Sequence, residues 1–253
     1  MPLHCSAPSA TASAPPQAAV SFASLKGVLF DIDGTLTNSD PLHFRAFQEC
    51  LAEVGYDDGK PISEEFFRAH ISGRHNPEIA HDLFPSWGVE RHAEFSETKE
   101  QKFRDMAGTV LTPLPGLADF MAWVDSRGLR KGAVTNAPGA NTRLMLGALE
   151  LETYFEVVVL GEECVRAKPF PDPYLEGLRA LGLDASHTLV LEDSPAGIKA
   201  AVAAGIPVIG LTTGQSADTL FAAGAQHVVG DFTAVMELIA REEAGRGLTH
   251  RVT

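Results

Sequence analysis

The sequence predicts an α/β fold: a doubly wound, mostly parallel, Rossmann-like sheet with a helical segment inserted after its first strand. Short apolar runs recur along the chain without polar alternation, which is typical of parallel strands buried on both faces. Helical patterns separate most of these runs, and strands that alternate with helices at this spacing build such a sheet.

Five apolar runs are predicted to be strands, over residues 27–30, 131–135, 156–160, 188–191 and 207–211. Connecting helices are predicted within residues 117–128, 172–182 and 193–205. The last of these has the clearest boundaries. Ser194 can cap it, Pro195 takes its first helical position, and Gly205 ends it.

Residues 40–112 contain no strong strand pattern and are predicted to form a helical cap domain. Asp40 is the predicted N-cap of its first helix, followed by Pro41. The apolar residues of that helix step by three or four positions along one face: Phe44, Phe47, Leu51 and Val54. Further cap helices are predicted over residues 64–70, 77–83 and 90–107.

Residues 1–23 are rich in Ala, Ser and Pro and carry no Asp, Glu, Lys or Arg, so we expect a disordered tail. The core domain is then predicted over residues 24–39 and 113–245. We expect a cytoplasmic protein. A plastid is the alternative, since the tail is Ser-rich and free of acids, although it lacks the arginines of a transit peptide.

Composition limits the possible partners. The net charge of −13 opposes binding to nucleic acid, because the phosphate backbone would be repelled. No apolar run reaches the roughly 20 residues needed to span a bilayer, so no membrane partner is expected. The three cysteines are widely spaced without a CxxC motif, which indicates a reducing compartment. The acidic surface favours a soluble monomer.

Polar residues follow four of the predicted strands. They are Asp31 and Asp33, Thr135 and Asn136, Lys168, and Glu192 and Asp193. The carboxyl ends of parallel strands share one edge of the sheet, so we expect these side chains to converge there. Carboxylates this close repel each other, and Mg²⁺ would relieve the repulsion.

This set of residues predicts phosphoryl transfer. A carboxylate beside Mg²⁺ can attack phosphorus, and a lysine and a threonine hydroxyl can hold the phosphoryl oxygens. The second acid can protonate a leaving alcohol and later deprotonate water. Each motif alone is ordinary, since acids, Thr-Asn pairs and lysines often lie in solvated turns. Their occurrence in order, each at a strand end, favours a catalytic site.

Four segments resemble the motifs of the haloacid dehalogenase-like (HAD) hydrolase superfamily: FDIDGTL, VTN, AKPFPDPY and VLEDSPAGIKAAVAAG. The resemblance covers about residues 25–240. Within the superfamily, the chain is most similar to the β-phosphoglucomutase and sugar-phosphate phosphatase branch, and there to Sgpp-type broad-range sugar phosphate phosphatases. The presence of Asp33 favours phosphate chemistry, because true dehalogenases generally lack this second acid.

The resemblance implies a role for each motif residue. Asp31 would be the nucleophile that becomes an aspartyl phosphate, and Asp33 the general acid and base. Thr135 and Lys168, with Asn136 beside them, would bind the phosphoryl group. The Mg²⁺ ligands would be Asp31, the Asp33 carbonyl and Asp193, with Glu192 adjacent.

Four cap residues are candidates for substrate contact: His43, Arg74, His75 and Lys99. His43 could instead be a helix-surface histidine, and Lys99 an exposed residue of a charged helix. The mutase branch has an arginine three residues after the glycine that matches Gly73, whereas this chain has Asn76 there. We interpret Asn76 as the cap of the helix that Pro77 begins.

The absence of that arginine favours a phosphatase that hydrolyses small phosphate monoesters, above all sugar phosphates. A β-phosphoglucomutase-like mutase shares every core residue and remains the first alternative. A non-catalytic binding protein on this fold is the second, because a fold alone does not establish an activity.

Overall fold

The computed structural model describes residues 21–108 and 110–249, which form a six-stranded sheet and ten α-helices. The strands are β1 Gly27–Phe30, β2 Arg130–Thr135, β3 Val157–Leu160, β4 Thr188–Glu192, β5 Val208–Leu211 and β6 His227–Val229. The helices between β1 and β2 are α1 Asp40–Glu53, α2 Glu64–His70, α3 Asn76–Leu83, α4 Val89–Ala107 and α5 Leu117–Ser126. The later helices are α6 Gly139–Ala148, α7 Asp172–Leu181, α8 Pro195–Ala203, α9 Ala217–Ala223 and α10 Phe232–Thr249.

All six strands are parallel, in the order β3-β2-β1-β4-β5-β6. Alternate residues of β1 enter two different apolar clusters. Val28 and Phe30 pack on the face covered by α5, α6 and α10, and Leu29 packs on the face covered by α7, α8 and α9. The predicted doubly wound α/β fold is therefore confirmed, and burial on both faces explains the uninterrupted apolar runs.

Helices α1–α4 form an apolar cluster of their own, rich in aromatic rings. Its buried members are Phe47, Cys50, Leu51, Ile62, Phe67, Ile71, Ile79, Ala80 and Phe95. The four predicted cap helices all occur, each within two residues of its predicted bounds. Within the described residues, no helix combines the length and apolarity needed to cross a membrane.

The structure corrects the predicted tail at its end. Residues 1–20 lie outside the described residues, but Phe22–Ser24 form a 3₁₀ turn and Phe22 is buried. The Phe22 ring contacts the Trp123 ring edge-on at a centroid distance of 6.2 Å. Within the predicted tail, Phe22 therefore packs on the core instead of lying in a disordered segment.

Two predicted helix caps are also wrong. Asp40 is the first residue of α1, and its carboxylate accepts a hydrogen bond from Ser72 Oγ at 2.8 Å. Asn76 is likewise inside α3, and its amide donates to Glu100 on α4. Both side chains connect distant parts of the chain, which local sequence could not indicate.

Candidate active site

The sheet order brings the predicted strand-end residues together, because β1 lies between β2 and β4. The Asp31 amide continues the β1–β4 ladder by donating to Leu191 O at 3.0 Å. Asp31 is buried directly after Phe30, the last residue of β1. Thr135 is buried at the end of β2, and Glu192 is the last residue of β4.

The Lys168 ammonium lies at the centre of the site. Its Nζ donates to Asp31 Oδ1 at 2.6 Å, to Glu192 Oε1 at 2.8 Å and to Val134 O at 2.7 Å. An ammonium has three N–H donors, and each has an acceptor here. Burial alone would lower the pKa of Lys168, but Asp31 and Glu192 raise it, so the positive charge is retained.

Three buried carboxylates cluster here, and two of them, Asp31 and Glu192, pair with this cation. Oxygens of Asp31, Glu192 and Asp193 all lie within 4.8 Å of one another. Burial raises the pKa of Asp31 to about 8, with Lys168 opposing the shift and Glu192 adding to it. Burial and the neighbouring acids also raise the pKa of Asp193 well above its usual value. One lysine cannot neutralise three carboxylates, so the cluster suits a hard divalent cation.

Glu192 is the most constrained of the three acids. It accepts hydrogen bonds from Lys168 Nζ, from Tyr174 Oη at 3.1 Å, and from the Ser194 amide and hydroxyl at 2.8 and 3.0 Å. Any side chain at Gly197 would collide with the Glu192 carboxylate. The protein itself therefore occupies the oxygens of Glu192, which leaves those of Asp31 and Asp193 better placed to bind a metal.

Gly34 allows the loops after β1 and β4 to approach each other. Its φ is +76°, which favours glycine, and a Cβ there would lie 2.0 Å from Asp193 Oδ2. Thr35 Oγ1 donates to Asp193 Oδ1 across the same contact at 3.3 Å. The glycine of the FDIDGTL motif thus sets the spacing of the acidic cluster.

Asp33 faces the cap helices. Its Oδ1 accepts from Ser39 Oγ at 2.5 Å and lies 3.1 Å from His43 Nε2. Although burial raises the pKa of Asp33, His43 and Ser39 lower it below its usual value overall. His43 Nδ1 lies 2.8 Å from Lys99 Nζ, and the His43 ring stacks on Phe103. A continuous chain of contacts therefore runs from Asp33 to Lys99.

The other motif residues have distinct surroundings. Thr135 Oγ1 accepts from the Ala137 amide at 3.0 Å, which leaves its hydroxyl proton available. The Asn136 side chain donates to Lys168 O at 3.0 Å and accepts from Lys168 N at 3.1 Å. Asn136 therefore fixes the backbone that carries the central lysine, in addition to lining the cavity.

A cavity of about 110 Å³ lies between the sheet edge and the cap helices. We call its sheet side the core wall, formed by Asp31, Asp33, Thr135, Asn136, Ala137, Pro138, Asn141, Asp193 and Ser194. We call the opposite side the cap wall, formed by Asp40, His43, Phe47, Phe67, Ile71, Ser72, Gly73, Arg74, Asn76, Ile79, Lys99 and Glu100. Of the four cap candidates, His43, Arg74 and Lys99 line the cavity, whereas His75 is not among its lining residues.

Comparison with known proteins agrees with this geometry. The family model of haloacid dehalogenase-like hydrolases matches residues 28–211 of this chain. The chain belongs to this family. The resemblance noted in the four sequence motifs is thereby confirmed.

Individual relatives cover most of the chain. A phosphoglycolate phosphatase of Rhodospirillum rubrum is 31% identical over 228 residues, covering 87% of this chain and 93% of the relative. A phosphorylated carbohydrates phosphatase of Thermotoga maritima is 30% identical, covering 72% and 82%. The crystal structure of CbbY from Rhodobacter sphaeroides in complex with phosphate aligns with a TM-score of 0.72 and 27% identity, covering 82% of this chain and 95% of that one.

Sequence reasoning did not identify Glu100 and Asn141 as polar residues that line this cavity. Glu100 on α4 accepts hydrogen bonds from Asn76 and from Asn141 on α6. A signal was present for their neighbour Lys99, since it lies four residues from both Phe95 and Phe103 and so shares their buried stripe. The exposed-lysine alternative for Lys99 is wrong, because the residue is buried.

Proposed function

We propose that this HAD-like hydrolase is a Mg²⁺-dependent phosphatase of small phosphate monoesters, with sugar phosphates as its main substrates. The single observation that carries the proposal is the environment of Asp31. Its carboxylate is held at 2.6 Å by the buried Lys168 ammonium and lies beside two further acids. The names of the relatives support a phosphatase, and they include substrates with and without a carboxylate.

The acidic cluster suits Mg²⁺ because burial and mutual repulsion raise the pKa of both Asp31 and Asp193, and a bound cation would relieve that repulsion. The ligands would be the carboxylates of Asp31 and Asp193 and the Asp33 carbonyl, with Glu192 as an adjacent negative charge. When bound, Mg²⁺ would neutralise the carboxylates and the phosphoryl oxygens.

Residues of the core wall, with Lys168 beside them, then account for two steps. In the first, Asp31 attacks phosphorus, and the bond from phosphorus to the ester oxygen breaks. The electron pair stays on that oxygen, which takes a proton from the protonated form of Asp33, a minor form at neutral pH because His43 and Ser39 lower the Asp33 pKa. Lys168 and the Thr135 hydroxyl stabilise the charge on the transferring group.

In the second step, water attacks the phosphorus of the aspartyl phosphate and gives its proton to Asp33. The bond from phosphorus to Asp31 breaks, and its electron pair returns to the carboxylate, which releases inorganic phosphate. We propose that residues 40–112 act as a cap that excludes bulk water from the cavity during the first step.

A mutase would have to hold a doubly phosphorylated intermediate. The second phosphate of that intermediate would need an unpaired cation at the cap side of the cavity. Asn76 occupies the position of the mutase arginine and is hydrogen-bonded to Glu100. Arg74 is paired with Asp82 at 2.6 Å. These contacts favour hydrolysis over transfer to a second hydroxyl.

The test is a phosphate-release assay over a panel of small sugar and polyol phosphates, with Mg²⁺ and with a chelator. We expect release that the chelator abolishes, and a loss of at least about 10³-fold for Asp31→Asn, which keeps the shape of the nucleophile but not its charge. No release from any ester, or an active Asp31→Asn variant, would refute the proposal. Conversion of β-glucose 1-phosphate to the 6-phosphate faster than phosphate release would establish the mutase instead.

A further inference from the structure

Glu100 lines the cavity but takes no part in the phosphoryl transfer proposed above. It lies on α4, within the cap wall, and its side chain is 4% exposed. A buried carboxylate is costly unless its charge is compensated, so its partners indicate what it does.

Three donors converge on Glu100. Its Oε1 accepts from Lys99 Nζ at 2.8 Å and from Asn76 Nδ2, and its Oε2 accepts from Asn141 Nδ2. Although burial raises the pKa of Glu100, Lys99 and His43 lower it below its usual value overall. The residue is therefore a carboxylate at neutral pH, held by contacts from α3, α4 and α6.

Glu100 cancels the charge of Lys99, the cation that would otherwise attract a second anionic group of a substrate. The Lys99 ammonium also contacts His43 Nδ1 and lies 4.7 Å above the Phe47 ring. The other strong cation of the cap wall, Arg74, is paired with Asp82 and also donates to His70 O at 2.9 Å. Within the part of the chain described, the Lys and Arg cations of the cap wall thus all have partners.

Glu100 also orients two amides. A carboxylate can only accept hydrogen bonds, so Asn76 and Asn141 turn their Nδ2 groups towards it. Their oxygens remain as acceptors. Asn141 Oδ1 accepts a hydrogen bond from Arg104 Nη1 at 3.1 Å. No donor within residues 21–108 and 110–249 contacts Asn76 Oδ1. Asn76 lines the cavity, so its amide oxygen is suited to accept a hydrogen bond from a ligand hydroxyl and is unsuited to a ligand anion.

We infer that Glu100 is a specificity-determining residue that selects phosphate esters with an uncharged, hydroxyl-bearing leaving group. Esters whose leaving group carries a carboxylate or a second phosphate are disfavoured, because Glu100 neutralises the cation and repels the anion. The carbon skeleton of the leaving group packs on Phe47, Phe67, Ile71 and Ile79 of the cap wall. This inference rests on the proposed phosphatase function.

The test uses two substrate pairs that differ in charge but hardly in size. The first pair is glycerol 3-phosphate and 3-phosphoglycerate, and the second is 2-hydroxyethyl phosphate and 2-phosphoglycolate. We expect the wild type to have the higher kcat/KM for the neutral member of each pair. Glu100→Gln keeps the size of the side chain and should reduce this preference by about 10-fold or more, through faster turnover of the carboxylate esters.

Glu94→Gln is the matched control, since Glu94 is an exposed acid of the same helix. It changes the net charge equally and should leave the preference unaltered. A wild type that prefers the carboxylate member in both pairs would overturn the inference without any variant, even if Glu100→Gln fails to fold. An unchanged preference in a folded Glu100→Gln protein would overturn it as well, while leaving the phosphatase intact. No phosphate release from any ester would refute the proposed function and this inference with it.

Discussion

The two walls of the cavity balance their charges differently. On the core wall, burial and the neighbouring acids raise the pKa values of Asp31 and Asp193, and among the described residues Lys168 is the only Lys or Arg within hydrogen-bond distance of this acidic cluster. On the cap wall, Lys99 is paired with Glu100 and Arg74 with Asp82. The core wall therefore suits an external cation and phosphoryl transfer, whereas the balanced cap wall suits selection by shape and hydrogen bonding.

Removal of Lys168 should have the largest effect. Lys168→Met leaves Asp31 and Glu192 without their shared cation, so we expect activity to fall about 10²- to 10³-fold and unfolding free energy to fall by about 3–5 kcal/mol. Phosphate release and denaturant unfolding measure the two losses. Lys199→Met is the control, since Lys199 is an exposed lysine on α8 and its loss should change neither. Activity within ten-fold of wild type would show that the core wall does not depend on its cation.

The contact between the walls can be tested at Gly73. Its φ is +71°, and a Cβ there would lie 2.8 Å from Ser194 Cβ on the core wall. Gly73→Ala should therefore displace the loop between α2 and α3, here called the cap loop, from its contact with Ser194. We expect kcat/KM to fall about 10- to 100-fold.

Gly55→Ala separates this clash from backbone strain. Gly55 has a similar φ of +75°, but a Cβ there would have no atom within 4 Å. Alanine is strained in the left-handed conformation, so both variants should lose about 1–2 kcal/mol of unfolding free energy. Only Gly73→Ala should lose activity. Equal activities would mean that closure of the cap loop on Ser194 is not needed for turnover.

The uncompensated core wall also predicts a link between pH and Mg²⁺. Asp31 has a folded pKa of about 8 against a usual value of 3.8, so its stabilising contribution in the metal-free protein is complete below the lower value. That contribution is lost as pH rises through the higher value. Mg²⁺ would compete with these protons, so the stabilisation on adding Mg²⁺ should grow from about pH 6 to about pH 8, towards about 2.7 kcal/mol of unfolding free energy at 100 times Kd. The rise in the thermal unfolding midpoint measures this stabilisation. Asp193→Asn should remove most of this rise, and an equal rise at both pH values would contradict the prediction.

The smallest effect is expected at Arg74, which was a candidate for substrate contact. Its guanidinium forms an exposed pair with Asp82, and such pairs contribute at most about 1 kcal/mol to stability. Arg74→Ala should therefore leave turnover of neutral esters within about two-fold of wild type. A much larger loss in kcat/KM would mean that the side chain leaves Asp82 for the substrate, and that the cap wall is not balanced in the working enzyme.

The core wall could be predicted from the sequence because it depends on local patterns. Continuous apolar runs located β1, β2 and β4, and parallel strands place the residues that follow them at one edge. The sixth strand, β6, was missed because it has only three residues and lies partly exposed at the edge of the sheet.

The cap wall could not be predicted in the same way. The contact between Glu100 and Asn141 joins α4 to α6, and it depends on which face of each helix meets the other. No local periodicity encodes that choice. The two hydrogen bonds between the Asn136 side chain and the Lys168 backbone were not predicted for the same reason, although both residues had been identified as candidates.

The position of β1 has a consequence for how the protein folds during synthesis. Gly27 of β1 pairs with Arg130 of β2 on one side and with Thr188 of β4 on the other. The central strand is therefore synthesised well before the two strands that it pairs with. Helices α1, α3 and α4, by contrast, contact mainly one another. The apolar cluster of α1–α4 lies within residues 47–95, so it can form before the later strands are synthesised. Because distant pairings slow folding, we expect the inserted helices to gain structure first and the sheet to close around β1 last.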